Sequence, residues 1–318
     1  MRLTSTLLLF MATVSLFGQK SGIITGNAKI QQVGTGYAFT EGPAVYPDGK
    51  IFFTDQPNDR IYVWDETKGI ELWSDDTGRS NGMYFNAAGQ LVACADLQNQ
   101  LVYFDKNKKR QVLFENFGDK HLNGPNDLWI APNGDIYFTD PYYHRDYWKE
   151  GHSEQQDVRG VYHLSREGVV TRVIDDYKQP NGIIGTEDGK TLYVADINDQ
   201  KIWKYEIQSD GTLTGKIFFA PKGSDGMTID NRGNVYLTMG KVWVYSPDGS
   251  LIEEIEVPES PSNVCFGGKD RDILFITART SVYTLKMNVR GVMNAKSTKG
   301  AKGVKSVKSA KGVKGTKN

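Results

Sequence analysis

The stretch EGPAVYPDGKIFFTD, from Glu41 to Asp55, decides the fold because its plan recurs along the chain. NGMYFNAAGQLVACAD (Asn81 to Asp96) and NDLWIAPNGDIYFTD (Asn126 to Asp140) follow it. It returns from Asn181 to Asp196, from Asp225 to Met239 and from Asn263 to Thr277. In each copy a short apolar run meets a Gly-containing turn, and a second run of β-branched and aromatic residues follows. That is a hairpin pattern. Runs such as RIYVWD (Arg60 to Asp65) and KIWKYE (Lys201 to Glu206) supply a third strand, and a fourth leads into the next copy. The first residues of the copies stand 40, 45, 55, 44 and 38 positions apart. A period near 40 with four strands per unit predicts an all-β protein: a six-bladed β-propeller with four-stranded blades around a central channel. The segment Ala28 to Val33 precedes the first copy and is expected to give the last blade its outer strand, closing the ring and leaving few exposed edges.

Composition fits this plan. The chain has 318 residues, 39% of them hydrophobic, with Gly 34, Tyr 16, Phe 14 and Trp 6 and a mean hydropathy of −0.47. Turns and strands use these residues, and the length suffices for a large core. The formal charge of zero hides an asymmetry. From Lys296 to Lys317 every third residue is Lys, eight in all with no acid between them. Without those lysines and Arg2, the remainder carries 29 basic against 38 acidic residues, a net of −9. An acidic body excludes nucleic acid as the main partner. Residues 1–19, with Arg2 ahead of the apolar run from Leu7 to Phe17, read as a secretory signal too short for a membrane span. The expected organisation is therefore a signal peptide (1–19), a catalytic propeller (20–290) and a disordered Lys-rich tail (291–318), in a secreted or periplasmic protein. Cys94 and Cys265 each sit inside an apolar strand-like run and are expected to be buried free thiols, with a disulfide, which export permits, as the alternative.

The first strand of a propeller blade lines the channel. Aligning the copies therefore places Glu41, Asn81, Asn126, Asn181, Asp225 and Asn263 at one level, at one mouth. All six bear side-chain oxygens. Asn-Gly and Asp-Gly pairs also start strands from tight turns, which accounts for Asn81 and Asn263 but not for a Glu before Gly-Pro. Two like charges about 4 Å apart repel by about 4 kcal/mol at an effective dielectric of about 20, and a divalent cation removes that repulsion. Two carboxylates with amide oxygens are hard ligands. They point to one divalent cation, Ca²⁺ first, with Mg²⁺, Mn²⁺ or Zn²⁺ as alternatives.

Glu41-Gly-Pro, Leu122-Asn-Gly-Pro-Asn-Asp127, Gln179-Pro-Asn-Gly182 and Ser224-Asp-Gly-Met227 resemble the motifs of the SMP-30/gluconolactonase family of six-bladed propeller hydrolases, in order and over about residues 30–290. The resemblance implies a single catalytic metal in the channel held by Glu41, Asn181 and Asp225. It implies Asn126 beside or on the metal and in contact with substrate, and Asp225 as general base. His121 occupies a spot where related bacterial enzymes often have Arg and is a candidate substrate contact. The implied reaction is hydrolysis of a small-molecule sugar lactone, with the carbonyl polarised by the cation. No G-x-S-x-G nucleophile motif occurs. An aryl-ester or organophosphate hydrolase on the same site, or a non-catalytic binding propeller, is the alternative.

The 55-residue interval holds an insertion from Pro141 to Arg159 with Tyr142, Tyr143, His144, Tyr147 and Trp148. A strand leaving Asn126 and returning at Asp140 ends at the metal mouth, so this insertion should overhang the site, with Tyr143 and His144 as candidate substrate contacts. Asp55, Asp96, Asp140 and Asp196 end second strands and are expected to cap loops through backbone hydrogen bonds. Asp127 is expected to alternate away from the channel as structural support.

Overall fold

The computed structural model describes residues 21–292 together with Gly303, Val307, Val313 and Lys314, so the expected signal segment lies outside the described residues. Six antiparallel four-stranded sheets form the ring. Blade 1 is Thr40–Val45, Ile51–Asp55, Arg60–Asp65 and Gly69–Ser74, and blade 2 is Ser80–Phe85, Leu91–Ala95, Gln100–Phe104 and Arg110–Phe114. Blade 3 is Leu128–Ile130, Ile136–Asp140, Gly160–Leu164 and Val170–Ile174. Blade 4 is Pro180–Gly185, Thr191–Asp196, Lys201–Ile207 and Leu213–Ala220. Blade 5 is Met227–Ile229, Val235–Met239, Lys241–Tyr245 and Leu251–Ile255. Blade 6 takes Pro261–Gly267, Ile273–Ala278 and Ser281–Lys286 from the end of the ring and Gln31–Thr35 from its beginning. This closing strand pairs antiparallel with Ser281–Lys286 and starts slightly later than the expected Ala28.

The repeated turn explains why the copies stay in register. Gly49, Gly89, Gly134, Gly189 and Gly233 each donate an N–H to the carbonyl three residues back, closing the first hairpin of blades 1 to 5. Each has a positive φ, which favours Gly; in blade 6 the place is held by Arg271 at φ 58°. Apolar residues then fill the spaces between blade faces. Ile51 and Phe53 of blade 1 pack with Phe275 and Val282 of blade 6, and Tyr193 and Val194 of blade 4 pack with Leu237 of blade 5. Cys94 and Cys265 are buried free thiols in separate blades.

Two boundaries differ from the sequence reading. Gly291 and Val292 belong to the folded ring rather than to the tail: Gly291 N–H donates to Arg271 O (2.8 Å) and bridges to Asp230, and Val292 lines the channel. Both residues line the apolar end of the channel. In the Lys-rich segment, Val313–Lys314 runs parallel to the outer strand of blade 3, pairing Val313 with Thr171, because that edge has unpaired backbone groups to offer. Among the described residues no helix is long and apolar enough to cross a membrane.

Candidate active site

Inner strands crowd where six blades converge, and glycine marks the crowding. A Cβ on Gly42 would lie 1.8 Å from Asn81 O, and one on Gly226 would lie 1.9 Å from Asn263 Cγ. The residue after the oxygen-bearing one is thus Gly in blades 1, 2, 4 and 5 because the neighbouring blade leaves no room. In blades 1, 2 and 4 the inner strand also bulges here, with register shifts at Glu41/Ala44, Ser80/Met83 and Pro180/Ile183. The bulge breaks simple alternation, so the oxygen-bearing residues can all turn to the axis.

Glu41, Asn81, Asn126, Asn181 and Asn263 are all buried at this level. Gly42 N–H (2.7 Å) and Asn263 Nδ2 (3.0 Å) both donate to Glu41 Oε2. Asn263 Oδ1 accepts Val264 N–H, and the same side-chain amide also serves Asp127. Asn181 Nδ2 donates to Asp225 Oδ1 (2.8 Å) and to Tyr143 Oη (2.7 Å). Burial pushes the Glu41 carboxyl well above the usual range, and the charges of Asp225 and Asp127 add to the rise. Burial raises Asp225 as well, against the lowering influence of its Asn181 bond and of Arg145 and Arg279.

Asp127 corrects the sequence reading. It does not turn away from the channel. It stands where four other copies have Gly, and its carboxyl reaches the axis, receiving the N–H groups of Leu128 and Ile183 and the Asn263 amide. Burial pushes it up to about 7. The sequence carried the signal: a side chain in a position otherwise held by Gly must have its own space.

The residues fit a hard cation. Asn181 Oδ1 and Asn81 Oδ1 are buried acceptors with no hydrogen-bond partner, beside two carboxyls raised by burial. Buried acceptors in this state are costly unless something electropositive meets them. Among the described residues no three His, Cys, Asp or Glu side chains cluster as a metal-ligand group, so an ion here must draw on amide oxygens. That donor set suits Ca²⁺ or Mg²⁺ better than a tetrahedral zinc array.

On the far side of this ring lies a partly open pocket of about 50 Å³ whose lining includes Ala44, Tyr84, Ile184, Phe266 and Val292. The insertion meets the ring through Tyr143 and Asn181. Tyr143 reaches Asn181 as expected, and burial with the nearby Asp225 charge pushes its phenol up to about 12. Two expected contacts are not brought to this cluster. His144 is 74% exposed with Asp146 as its charged neighbour at 3.9 Å, and His121 is exposed on a two-stranded ribbon, Asn116–Phe117 with Lys120–His121. Asp55, Asp140 and Asp196 each cap two backbone N–H groups as expected. Asp96 does not: its carboxylate accepts Gln56 Nε2, Arg145 Nε and Tyr147 Oη, which fastens the insertion to blade 2.

A closed six-bladed propeller with an acidic, amide-rich ring in its channel defines a class of hydrolase-like scaffolds. The chain belongs to the SMP-30/gluconolactonase/LRE-like family, whose region matches residues 39–280. It is 27% identical over 300 residues to a gluconolactonase of Zymomonas mobilis, covering 85% of this chain and 84% of that one. The solved gluconolactonase XC5397 of Xanthomonas campestris superposes with a TM-score of 0.78 at 27% identity, covering 84% and 91% of the two chains. The calcium-binding protein regucalcin of Agrobacterium tumefaciens, 19% identical, shares the fold with a TM-score of 0.67 over 86% and 96%.

Proposed function

We propose that the protein is an exported, metal-dependent carboxylic ester hydrolase that opens a sugar lactone of the gluconolactone type. The observation that carries this reading is the convergence of Glu41, Asn181 and Asp225 at the open mouth, with Asn181 Oδ1 buried and unpartnered. It is supported by the gluconolactonases among the relatives. Glu41, Asn126, Asn181 and Asp225 are the residues to hold one divalent cation, calcium first. When bound, that ion supplies Lewis acidity at the lactone carbonyl oxygen.

The chain's own residues supply the rest. Asp225, half-buried and oriented by Asn181 Nδ2, accepts a proton from the water whose oxygen bonds to the carbonyl carbon. The ring C–O bond then breaks, and the departing alkoxide takes that proton back, leaving a hydroxy acid. Asn263 and Gly42 N–H hold Glu41 in place. Tyr143 closes the side of the site beneath the insertion and limits water to the reacting molecule. Assay of the purified protein on glucono-1,5-lactone, with EDTA and then with Ca²⁺, Mg²⁺, Mn²⁺ or Zn²⁺ restored, tests this. Activity removed by chelation and recovered with one ion is expected, and Asp225→Ala should abolish it. Full turnover in that variant would sink Asp225 as the base.

A further inference from the structure

Asp96 is the odd member of four equivalent aspartates, and what it holds is informative. Its Oδ2 accepts Arg145 Nε (2.8 Å) and Gln56 Nε2 (2.8 Å), its Oδ1 accepts Tyr147 Oη (2.5 Å), and its carbonyl accepts Trp148 Nε1 (2.7 Å). Arg79 lies 4.1 Å over the Tyr147 ring and bonds the Pro57 carbonyl, and its charge reaches Asp96 without an ion pair. Arg145 brings a positive charge to this side of the mouth, where it also favours the Asp225 anion.

Arg145 carries that charge toward the site. Its guanidinium carbon lies 5.5 Å from the Tyr143 ring centroid, and Tyr143 Oη is bonded to the same Asn181 amide that holds Asp225. The Arg145 side chain is 23% exposed, and its bond to Asp96 is made by Nε. The terminal nitrogens Nη1 and Nη2 are left as a planar fork, already oriented by Asp96 and Tyr143. A fork of this kind matches a carboxylate or phosphate with two parallel N–H···O bonds, and its fixed geometry reduces the entropy lost on binding. Arg279, over Phe39 on the blade 6 side, adds a second cation whose field reaches Asp225.

We propose that Arg145 is a specificity-determining residue and that the lactone it selects bears an anionic substituent, a carboxylate or a phosphate, in addition to its ring ester. The inference rests on the lactonase reading and names the substrate class of that site. A neutral aldonolactone fills the ring-ester position but leaves the Arg145 fork facing water.

The test compares three lactones on the full chain: neutral glucono-1,5-lactone, the monolactone of glucaric acid and 6-phosphogluconolactone. One of the two anionic lactones should exceed the neutral one in kcat/KM by roughly 10- to 100-fold, the worth of a charge-assisted pair. Which of the two leads names the anion. Arg145→Gln should erase most of that preference, chiefly through KM, and Arg145→Lys should restore part of it. Tyr147→Phe removes one bond to Asp96 but keeps the guanidinium, so it should preserve the ratio and shows that a loosened insertion is not the cause. Equal kcat/KM for all three lactones, or an Arg145→Gln variant that loses kcat equally on each, overturns the proposal. If no lactone is opened, the lactonase reading fails, and calorimetry with open-chain glucarate and gluconate still decides the anion site. Tighter glucarate binding that Arg145→Gln abolishes sustains it, and equal binding overturns it.

Discussion

Gly42→Ala is the sharpest probe of how the ring builds the site. Gly42 follows Glu41 with φ 51°, and a Cβ there would stand 1.8 Å from Asn81 O and 2.8 Å from Asn81 C, where real contacts stay beyond 3.0 Å. The inner strands of blades 1 and 2 must therefore separate by more than 1 Å. Left-handed backbone on a non-Gly residue costs about 1–2 kcal/mol, and overpacking adds about 1–3, so the total is about 2–5 kcal/mol. Gly69→Ala is the matched control, since Gly69 has φ 80° and nothing within 4 Å of its Cβ position. It incurs only the backbone cost. In a domain this size each kcal/mol shifts Tm by roughly 2–4 °C, so Gly42→Ala should melt about 4–20 °C below wild type and Gly69→Ala about 2–8 °C below. The strand movement also carries Glu41 with it, and a displacement near 1 Å can cost about 100-fold in rate. Thermal melts by circular dichroism and lactonase assays of both variants make the comparison. If Gly42→Ala melts with Gly69→Ala and turns over like wild type, the inner strands are not in the contact described and the reasoning is wrong.

Further outcomes follow from the buried carboxyls and thiols. Asp127 rises from 3.8 to about 7, and a carboxyl raised on folding removes stability as pH climbs from its unfolded toward its folded value, here by up to about 4 kcal/mol. In EDTA the melting temperature should therefore fall between pH 5 and pH 8; a rising profile would refute this. Added Ca²⁺ should stabilise far more at pH 8 than at pH 5, because the ligands must be ionised to bind it, and calorimetry should show proton release on binding. Asp127→Asn should flatten the decline seen in EDTA, measured in the same melts. Burial raises both Cys94 and Cys265, so neither should react with a thiol reagent in the folded protein and both should react in denaturant. Rapid labelling of either thiol under native conditions would contradict their burial.

The propeller was legible because its signals are local and repeated. A turn with positive φ at Gly49 and its counterparts, flanked by apolar runs, needs no distant partner to be recognised. The level of Glu41, Asn181 and Asp225 followed from aligning the copies, since equivalent positions in a closed ring share a height on the axis. Asp127 was misplaced because alternation assumes an unbroken strand, while the chain is irregular where the blades converge and consecutive residues there can both face inward. Asp96 was misread for a different reason. Its role depends on Arg145 and Tyr147, about fifty residues away in an insertion with no periodicity to align. Position within a repeat gives a residue's place in a blade, but not the partner a loop brings to it.

The ring and the insertion answer one electrostatic problem from two sides. Glu41, Asp127 and Asp225 are three carboxyls inside one channel, and burial opposes ionisation of each. Arg145 and Arg279 favour the Asp225 anion from the rim, but the unpartnered oxygens of Asn81 and Asn181 remain. A hydrogen-bonded apolar axis would have closed the ring at lower energetic cost. What such an axis could not do is attract a cation strongly, because binding there relieves repulsion that folding has already imposed. The same features that weaken the metal-free fold therefore strengthen its affinity for an ion, and melting temperature and metal binding should vary together across variants of the ring.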